Sequence, residues 1–323
     1  MPYVLDKAQL KEHRQRNIIH SIMLVGGLGL ILAVASMLLW GLKGVAVSLI
    51  AIGLLIITAP AIPPAAVMRL YRARKLPPGD DQLNRIVDEL TARANLPQRP
   101  DLYIIPSATM NAFATGTQDK PTIAITEGLL RRLTLREIAG VLAHETSHII
   151  NNDLWLMNLA DLITRFVQTL SYIALFIALT NLLGLMTGAE PISWWAVLLL
   201  YFAPAISSLL QLGLSRAREF DADLEAAALT GDPMGLASAL TRLDESQGQF
   251  WEDLTYPVPT RKVPHPSLLR THPPTRDRIA RLHELTGHQP LRQIVITEEP
   301  MVSMLGYGPI EMRPRYRFPG VYF

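Results

Sequence analysis

Apolar residues occur along this chain in long blocks, not in the short clusters that build an ordinary core. From Met23 to Trp40 the only polar side chain is Ser36; as a helix, such a run crosses a hydrocarbon layer about 30 Å thick. After the turn Gly41-Leu42-Lys43-Gly44, Val45 to Thr58 is again largely apolar and passes through Pro60, Pro63 and Pro64 toward Val67. The second run is therefore expected to end irregularly. A third run covers roughly Leu162 to Leu185 and a fourth roughly Trp194 to Leu214, joined by a segment with Gly188 and Pro191 as breakers. Four membrane spans in two hairpins are expected, with Trp194 and Trp195 at an interface.

The polar stretches between and after the hairpins have a different rhythm. Leu83, Ile86, Val87 and Leu90 recur at helical spacing within Asp81 to Ala94. Leu102 to Ile105, Ala112 to Thr115 and Thr122 to Ile125 are short strand candidates separated by Pro, Ser, Asn and Gly, and together predict a small sheet. Thr134-Leu135-Arg136-Glu137 has the spacing of a capping box. Behind it, Leu135, Ile138, Val141, Leu142 and Ile149 predict a helix that ends near Asn151.

Composition agrees with a membrane protein: 49% of residues are hydrophobic and only 18% charged. A formal net charge of +2 forms no basic stripe, so nucleic acid is excluded as a partner and a lipid bilayer is indicated. Lys7, Lys11, Arg14 and Arg16 precede the first run, Arg69, Arg72, Arg74 and Lys75 follow the second, and Arg216 and Arg218 follow the fourth. The outer turns carry Lys43 alone, which predicts that both termini and the polar stretches face the cytoplasm. Arg165 interrupts the third run near its inner end, where it can snorkel.

The candidate chemistry lies on the capped helix. In His144-Glu145-Thr146-Ser147-His148 the two imidazoles are one turn apart on one face, where both can reach a single zinc ion. Without cysteine, the remaining ligand must be an imidazole or a carboxylate. Glu219 is the strongest candidate, with Asp223 one turn further on the same face to accept the Nδ1 proton of a ligating histidine, His144 above all. Taken alone, the two acids would be a solvated helix face. Glu219 follows His148 by 71 positions, but the third and fourth apolar runs nearly fill that interval. A membrane hairpin returns the chain to its starting point, so the zinc helix is expected to lead into the bilayer and the Glu219 helix to leave it. Glu145 would project toward the water to be activated.

With these motifs on the page, the chain resembles the HtpX-type membrane zinc metalloproteases, relatives of the CAAX prenyl endopeptidases within the gluzincins. The resemblance covers most of residues 1–287. It is carried by Asn111-Ala112-Phe113-Ala114-Thr115-Gly116, His144 to His148 with Asn151-Asn152-Asp153, Arg218 to Asp223, and Thr271-His272-Pro273 with Arg278-Ile279. Family members usually carry Gly near Asn152 and a basic residue near Asp221, and this chain departs at both. The expected fold class is a multi-pass α-helical membrane protein with four transmembrane helices and a mainly α cytoplasmic gluzincin peptidase domain containing a small β-sheet. Its expected parts are a cytoplasmic N-terminal segment (1–17), a first hairpin (18–68), the peptidase domain in two pieces (76–158 and 215–287), a second hairpin between them (159–214), and a C-terminal tail (288–323).

The resemblance implies a zinc-dependent endopeptidase of a bacterial-type inner membrane, one Zn2+ per chain. Glu145 would be the general base. His272 would be a transition-state donor, although Pro273 and Pro274 equally suit a plain helix start. Arg278 would brace Asp223 or the oxyanion. The segment from Asn111 through Ala112, Phe113 and Ala114 would pair with an extended substrate; periodicity alone fits an ordinary core strand equally well. Misfolded membrane proteins are the substrates the resemblance implies. A site-2-type intramembrane protease would bury its His-Glu-x-x-His in an apolar run, whereas Arg136, Glu137 and Asn151 to Asp153 flank it here. A non-catalytic metal-binding scaffold would have no need of Glu145.

Overall fold

The computed structural model describes residues 7–58, 63–79, 81–188, 193–254, 275–284, 294, 316–317 and 321–322. In chain order its elements are α1 (Lys7–Thr58), α2 (Pro64–Leu70), β1 (Arg74–Lys75), α3 (Gln82–Ala94), β2 (Asp101–Ile105), β3 (Ala112–Thr117) and β4 (Lys120–Thr126). There follow α4 (Glu127–Arg132), α5 (Leu135–Ile150), α6 (Asp153–Thr187), α7 (Trp194–Thr230), α8 (Pro233–Leu254), α9 (Thr275–Glu284), β5 (Tyr316–Arg317) and β6 (Val321–Tyr322). The chain divides into two compact units: 1–11, 62–154 and 218–323 form one, and 12–61 with 155–217 the other.

The second unit is helical. Three described segments are long and apolar enough to cross a membrane, Ile18–Leu38, Asp153–Thr187 and Trp194–Thr230. The expected second span is not among them; its described apolar leg is the shorter Trp40–Ile50, and α1 itself continues to Thr58. Within α1, Gly41 leaves helical geometry at φ 65, a left-handed conformation that glycine adopts without a Cβ clash. The consequence is a reversal: the Ser36 and Ser48 hydroxyls hydrogen-bond each other, whereas twelve residues of straight helix would hold them about 18 Å apart. The Ser48 hydroxyl also donates to the Gly44 carbonyl at 2.8 Å. Leu28, Leu32 and Ala35 of α1 pack with Leu159, Ile163, Val167 and Leu170 of α6 and with Leu200, Ala203 and Leu214 of α7.

The first unit is built on a mixed sheet ordered β1-β2-β4-β3, in which β2 and β4 are parallel and the outer pairs antiparallel. Alternation assigns its two faces. Leu102, Ile104, Ala114, Ile123 and Ile125 join the main core with Leu90 of α3, Leu129 of α4 and Ile138 and Leu142 of α5. Ile105 and Ala124 on the other face meet Met68 of α2, with Tyr71, Tyr103 and Phe113 alongside. Pro64 opens α2 at its first turn, where a missing N–H leaves no bond unmade. The chain enters the sheet just after α2: Arg74 and Lys75 pair with β2, and Leu76 N–H donates to the Leu102 carbonyl at 2.8 Å.

Candidate metal centre

Helix α5 is held at both ends. The Thr134 hydroxyl accepts the Glu137 N–H at 3.3 Å while the Glu137 carboxylate accepts the Thr134 N–H at 2.8 Å, completing the capping box. At the other end the Gln118 side-chain amide donates to the Ile150 carbonyl at 2.7 Å, satisfying one of the last carbonyls that a helix leaves unpaired. In between, Gly140 is needed for space: a Cβ there would lie 2.9 Å from the Leu236 Cα of α8. The sequence thus makes α5 straight, capped and closely packed, and two of its side chains are the paired imidazoles.

His144 and His148 turn their Nε2 atoms toward each other at 3.2 Å. Glu219, on α7, brings Oε2 to 3.4 Å from His144 Nε2 and Oε1 to 3.7 Å from His148 Nε2. One ligand atom from each of the three lies within 4.8 Å of the others. The far sides of both rings face carboxylates, His144 Nδ1 at 3.0 Å from Asp223 and His148 Nδ1 at 2.9 Å from Asp153. An ionised carboxylate only accepts, so each Nδ1 carries the hydrogen, and each ring when neutral presents its Nε2 lone pair inward. With both rings neutral, two lone pairs and a carboxylate converge on one point, an arrangement that draws in a cation, a proton on His144 or a metal ion.

Two arginines complete the surroundings. Arg278 of α9 grips Asp223 with both ends of its fork, Nε to Oδ2 at 2.7 Å and Nη2 to Oδ1 at 2.6 Å, and its Nη1 lies 3.1 Å from Glu219 Oε2. Arg281, one turn along α9, stacks over the Phe220 ring at 3.6 Å and seats that helix against α7. Arg218 Nη1 is 3.0 Å from Asp153 Oδ1. Glu145 is partly exposed beside the pair of imidazoles, and its charge acts on Arg278.

The electrostatics show what the pocket accommodates. Burial disfavours the charged form of His144, but hydrogen bonds to Asp223 and Glu219 and the negative field of Glu219 outweigh it and hold the pKa at about 10. His148 is also raised, burial opposing and the Asp153 hydrogen bond prevailing. For Arg278 burial is likewise overcome, by the charges of Asp223 and Glu219, and its pKa rises above the ordinary arginine value. Among the described residues Asp153 is paired with Arg218, and Asp223 and Glu219 with Arg278. A His-His-Glu group whose ligand atoms lie this close together fits a divalent metal ion, and nitrogen and oxygen donors of this kind suit zinc.

The proposed substrate segment lies at the sheet edge. β3 pairs only with β4 among the described residues, and its Gly116 stands opposite Pro121, which has no N–H to give. That pair is therefore not hydrogen-bonded, and antiparallel alternation puts Ala114 and Ala112 in the same class, their N–H and C=O groups turned away from β4. Asn111 fits the alternation, its carbonyl accepting the Thr126 N–H at 3.0 Å. Phe113 bonds toward β4 and sends its ring to the α2 face, 5.2 Å from the ring of Tyr71. Ala114 is buried toward α5. His272 lies outside the described residues.

Sequence reasoning assigned no role to Asp153, Arg218 or Gln118. Asp153 is brought to His148 by a turn in which Asn152 takes φ 53, a left-handed conformation that favours glycine and that asparagine tolerates.

Comparison with known proteins bears on the same residues. The profile of Peptidase family M48 matches residues 77–286. "Protease HtpX" of Legionella pneumophila is 34% identical over 284 residues, covering 83% of this chain and 99% of its own. "Protease HtpX homolog" of Desulfatibacillum aliphaticivorans is 34% identical over 285 residues, covering 85% and 90%. The homolog of Acaryochloris marina is 42% identical over 229 residues, covering 67% and 76%. Among solved structures, the crystal structure of S. mikatae Ste24p aligns with a TM-score of 0.48 at 19% identity, covering 84% of this chain and 66% of that one.

Proposed function

This chain belongs to peptidase family M48, and from that premise we propose a specific assignment for a membrane metalloprotease: a zinc endopeptidase whose metal is held by His144, His148 and Glu219. The observation that carries it is the meeting of two imidazole nitrogens and a carboxylate, one ligand atom from each within 4.8 Å of the others, although Glu219 lies 71 positions after His148. A zinc ion held there would polarise the scissile carbonyl and acidify the attacking water. Glu145, beside the ligands and accessible, accepts the proton of that water and hands it to the leaving amine. Asp223 and Asp153 keep both rings in the ligating tautomer, and Arg278 fixes Asp223 and Glu219 together. His272 is assigned as donor to the developing oxyanion.

The substrate is an extended polypeptide added to the outer edge of β3. The outward N–H and C=O groups of Ala112 and Ala114 would supply the ladder, with Asn111 and Phe113 anchoring the strand to β4. Main-chain recognition makes little demand on substrate sequence, which suits unfolded segments of membrane proteins and a part in their quality control. Four spans with both termini and the site on the cytoplasmic side are supported by the reversal at Gly41 and by the basic residues flanking the apolar runs. Bacterial relatives support a place in the inner membrane.

The test is Glu145→Gln, purified in detergent alongside wild type, with zinc content and casein cleavage measured on both. The expected result is unchanged zinc and a rate lower by about two to four orders of magnitude, the range for a positioned base. Wild-type turnover in the variant would overturn the assignment of Glu145. Zinc bound to both proteins, with no cleavage by either, would favour a metal-binding scaffold.

A further inference from the structure

We infer that Asp153, braced by Arg218, is a positioning pair that sets His148 for the metal and ties off the long apolar excursion between them. The inference deepens the metal site just proposed and rests on His148 being a ligand.

The two imidazoles are served by two parallel chains of contacts. Arg278 holds Asp223, which receives His144 Nδ1–H; Arg218 holds Asp153, which receives His148 Nδ1–H. Asp153 is 2% exposed and Arg218 9%, so neither is a solvated surface charge. Arg218 Nη1 approaches Asp153 Oδ1 at 3.0 Å, and the other oxygen, Oδ2, faces His148 Nδ1 at 2.9 Å, the geometry of an oxygen accepting Nδ1–H. The other tautomer would place that hydrogen on Nε2, aimed at His144 Nε2 only 3.2 Å away, and would remove the lone pair the metal needs.

The positions of the two residues add a second consequence. Asp153 is the first residue of α6, and Arg218 immediately precedes Glu219 on α7. They bracket the apolar run that separates His148 from Glu219, so a single ion pair joins the chain where it departs and where it returns. The same turn of α7 therefore provides a ligand to the metal and a brace to the other ligand's partner. Closing so long an interval by a local contact helps to fix the register of α7 against α5, beside the contacts of Ser147 and Asn151 with Glu225.

The test uses the full chain in detergent. Zinc affinity is measured by competition with a chromophoric chelator, the cobalt(II)-loaded visible spectrum is recorded, and the Tm of the metal-stripped protein is taken as a control for folding. Asp153→Ala is expected to weaken zinc by about 10- to 100-fold and to shift the cobalt bands. Asp153→Asn, whose carbonyl oxygen still accepts Nδ1–H, is expected to lose about tenfold, and Arg218→Lys less than Arg218→Gln. If Asp153→Ala does not fold, Asp153→Asn decides by the same readouts. Wild-type zinc affinity and cobalt spectrum in the Asp153 variants, with only the metal-stripped Tm lowered, would overturn the inference and leave a structural ion pair. His148→Ala separates the two levels: full zinc affinity in that variant sinks the metal-site assignment itself, whereas its loss beside unaffected Asp153 variants sinks only the positioning pair.

Discussion

The two compact units bury polar groups in opposite ways. In the unit that carries the sheet, the buried polar residues include full charges, Glu137, Asp153, Arg218, Glu219, Asp223 and Arg278. Each is met by a counter-charge or an imidazole. Among the described residues of the helical unit the buried polar ones are Ser21, Ser36, Ser48, Ser171, Asn181, Ser207 and Ser215, none of them ionisable. An ion pair described there, Arg165 with Asp161 at 2.7 Å, lies on an exposed helix face. Hydroxyls there return to their own helix, as Ser48 does to Gly44 and Ser208 to the carbonyl of Pro204. The difference is instructive: a charge is buried only where a set of partners has been assembled around it, and small hydroxyls are buried where helices must approach closely. Polarity in one unit is chemistry, and in the other it is packing.

Removing one member of the charged set is the strongest way to break that contrast. Arg278→Ala leaves Asp223 and Glu219 buried without their main counter-charge, and the metal-stripped protein should lose about 3–5 kcal/mol, read from thermal melts in detergent. Restoring zinc should recover part of the loss, because the ion replaces the missing positive charge. An apolar truncation in the same unit provides the scale. Leu142→Ala, at a fully buried position on α5, should destabilise by about 2–5 kcal/mol whether or not zinc is present.

The pH dependence of the metal-stripped protein sharpens the comparison further. His144 has a folded pKa of about 10, against an ordinary imidazole value of 6.5. The folded state thus holds a proton that the unfolded chain releases, so this contribution is complete below pH 6.5 and is lost as pH rises toward 10. The Tm of the stripped protein should fall across that window, with a slope of at most about 1.4 kcal/mol per pH unit from this group. Loaded with zinc, the protein should lack the slope, since the metal has displaced the proton. A flat profile in the stripped protein would show that another charge neutralises the pocket.

The smallest effect is expected in the helical unit. Ser48→Ala removes one hydroxyl pair and should change stability by about 1 kcal/mol or less, with zinc affinity unaffected. Between these extremes lies Gln118→Ala, which unties the tip of the β3–β4 hairpin from the end of α5. A raised KM with kcat nearly unchanged would show that the contact serves to hold the edge strand for substrate.

Local features were legible from sequence because their causes are local. Thr134 and Glu137 announce the start of α5 three positions apart, and the spacing of His144 and His148 sets them on one face of any helix. The three main strands follow from alternation, with ends shifted by one or two residues. The apolar runs announced α6 and α7, but not that α7 continues unbroken from Trp194 through Glu219 to Thr230. Gln118 gave no signal at all, since a glutamine in a turn is an ordinary surface residue until a helix end arrives beside it.

The sequence by itself determined the helices, the candidate ligands and the need for a third one from far along the chain. Only the tertiary structure decided that Asp153 serves His148, that Arg218 pairs with Asp153, and that Ala112 and Ala114 present their backbone outward. The physical reason is that periodicity and capping act over a few residues, whereas counter-charges and sheet edges are set by which distant segments pack together.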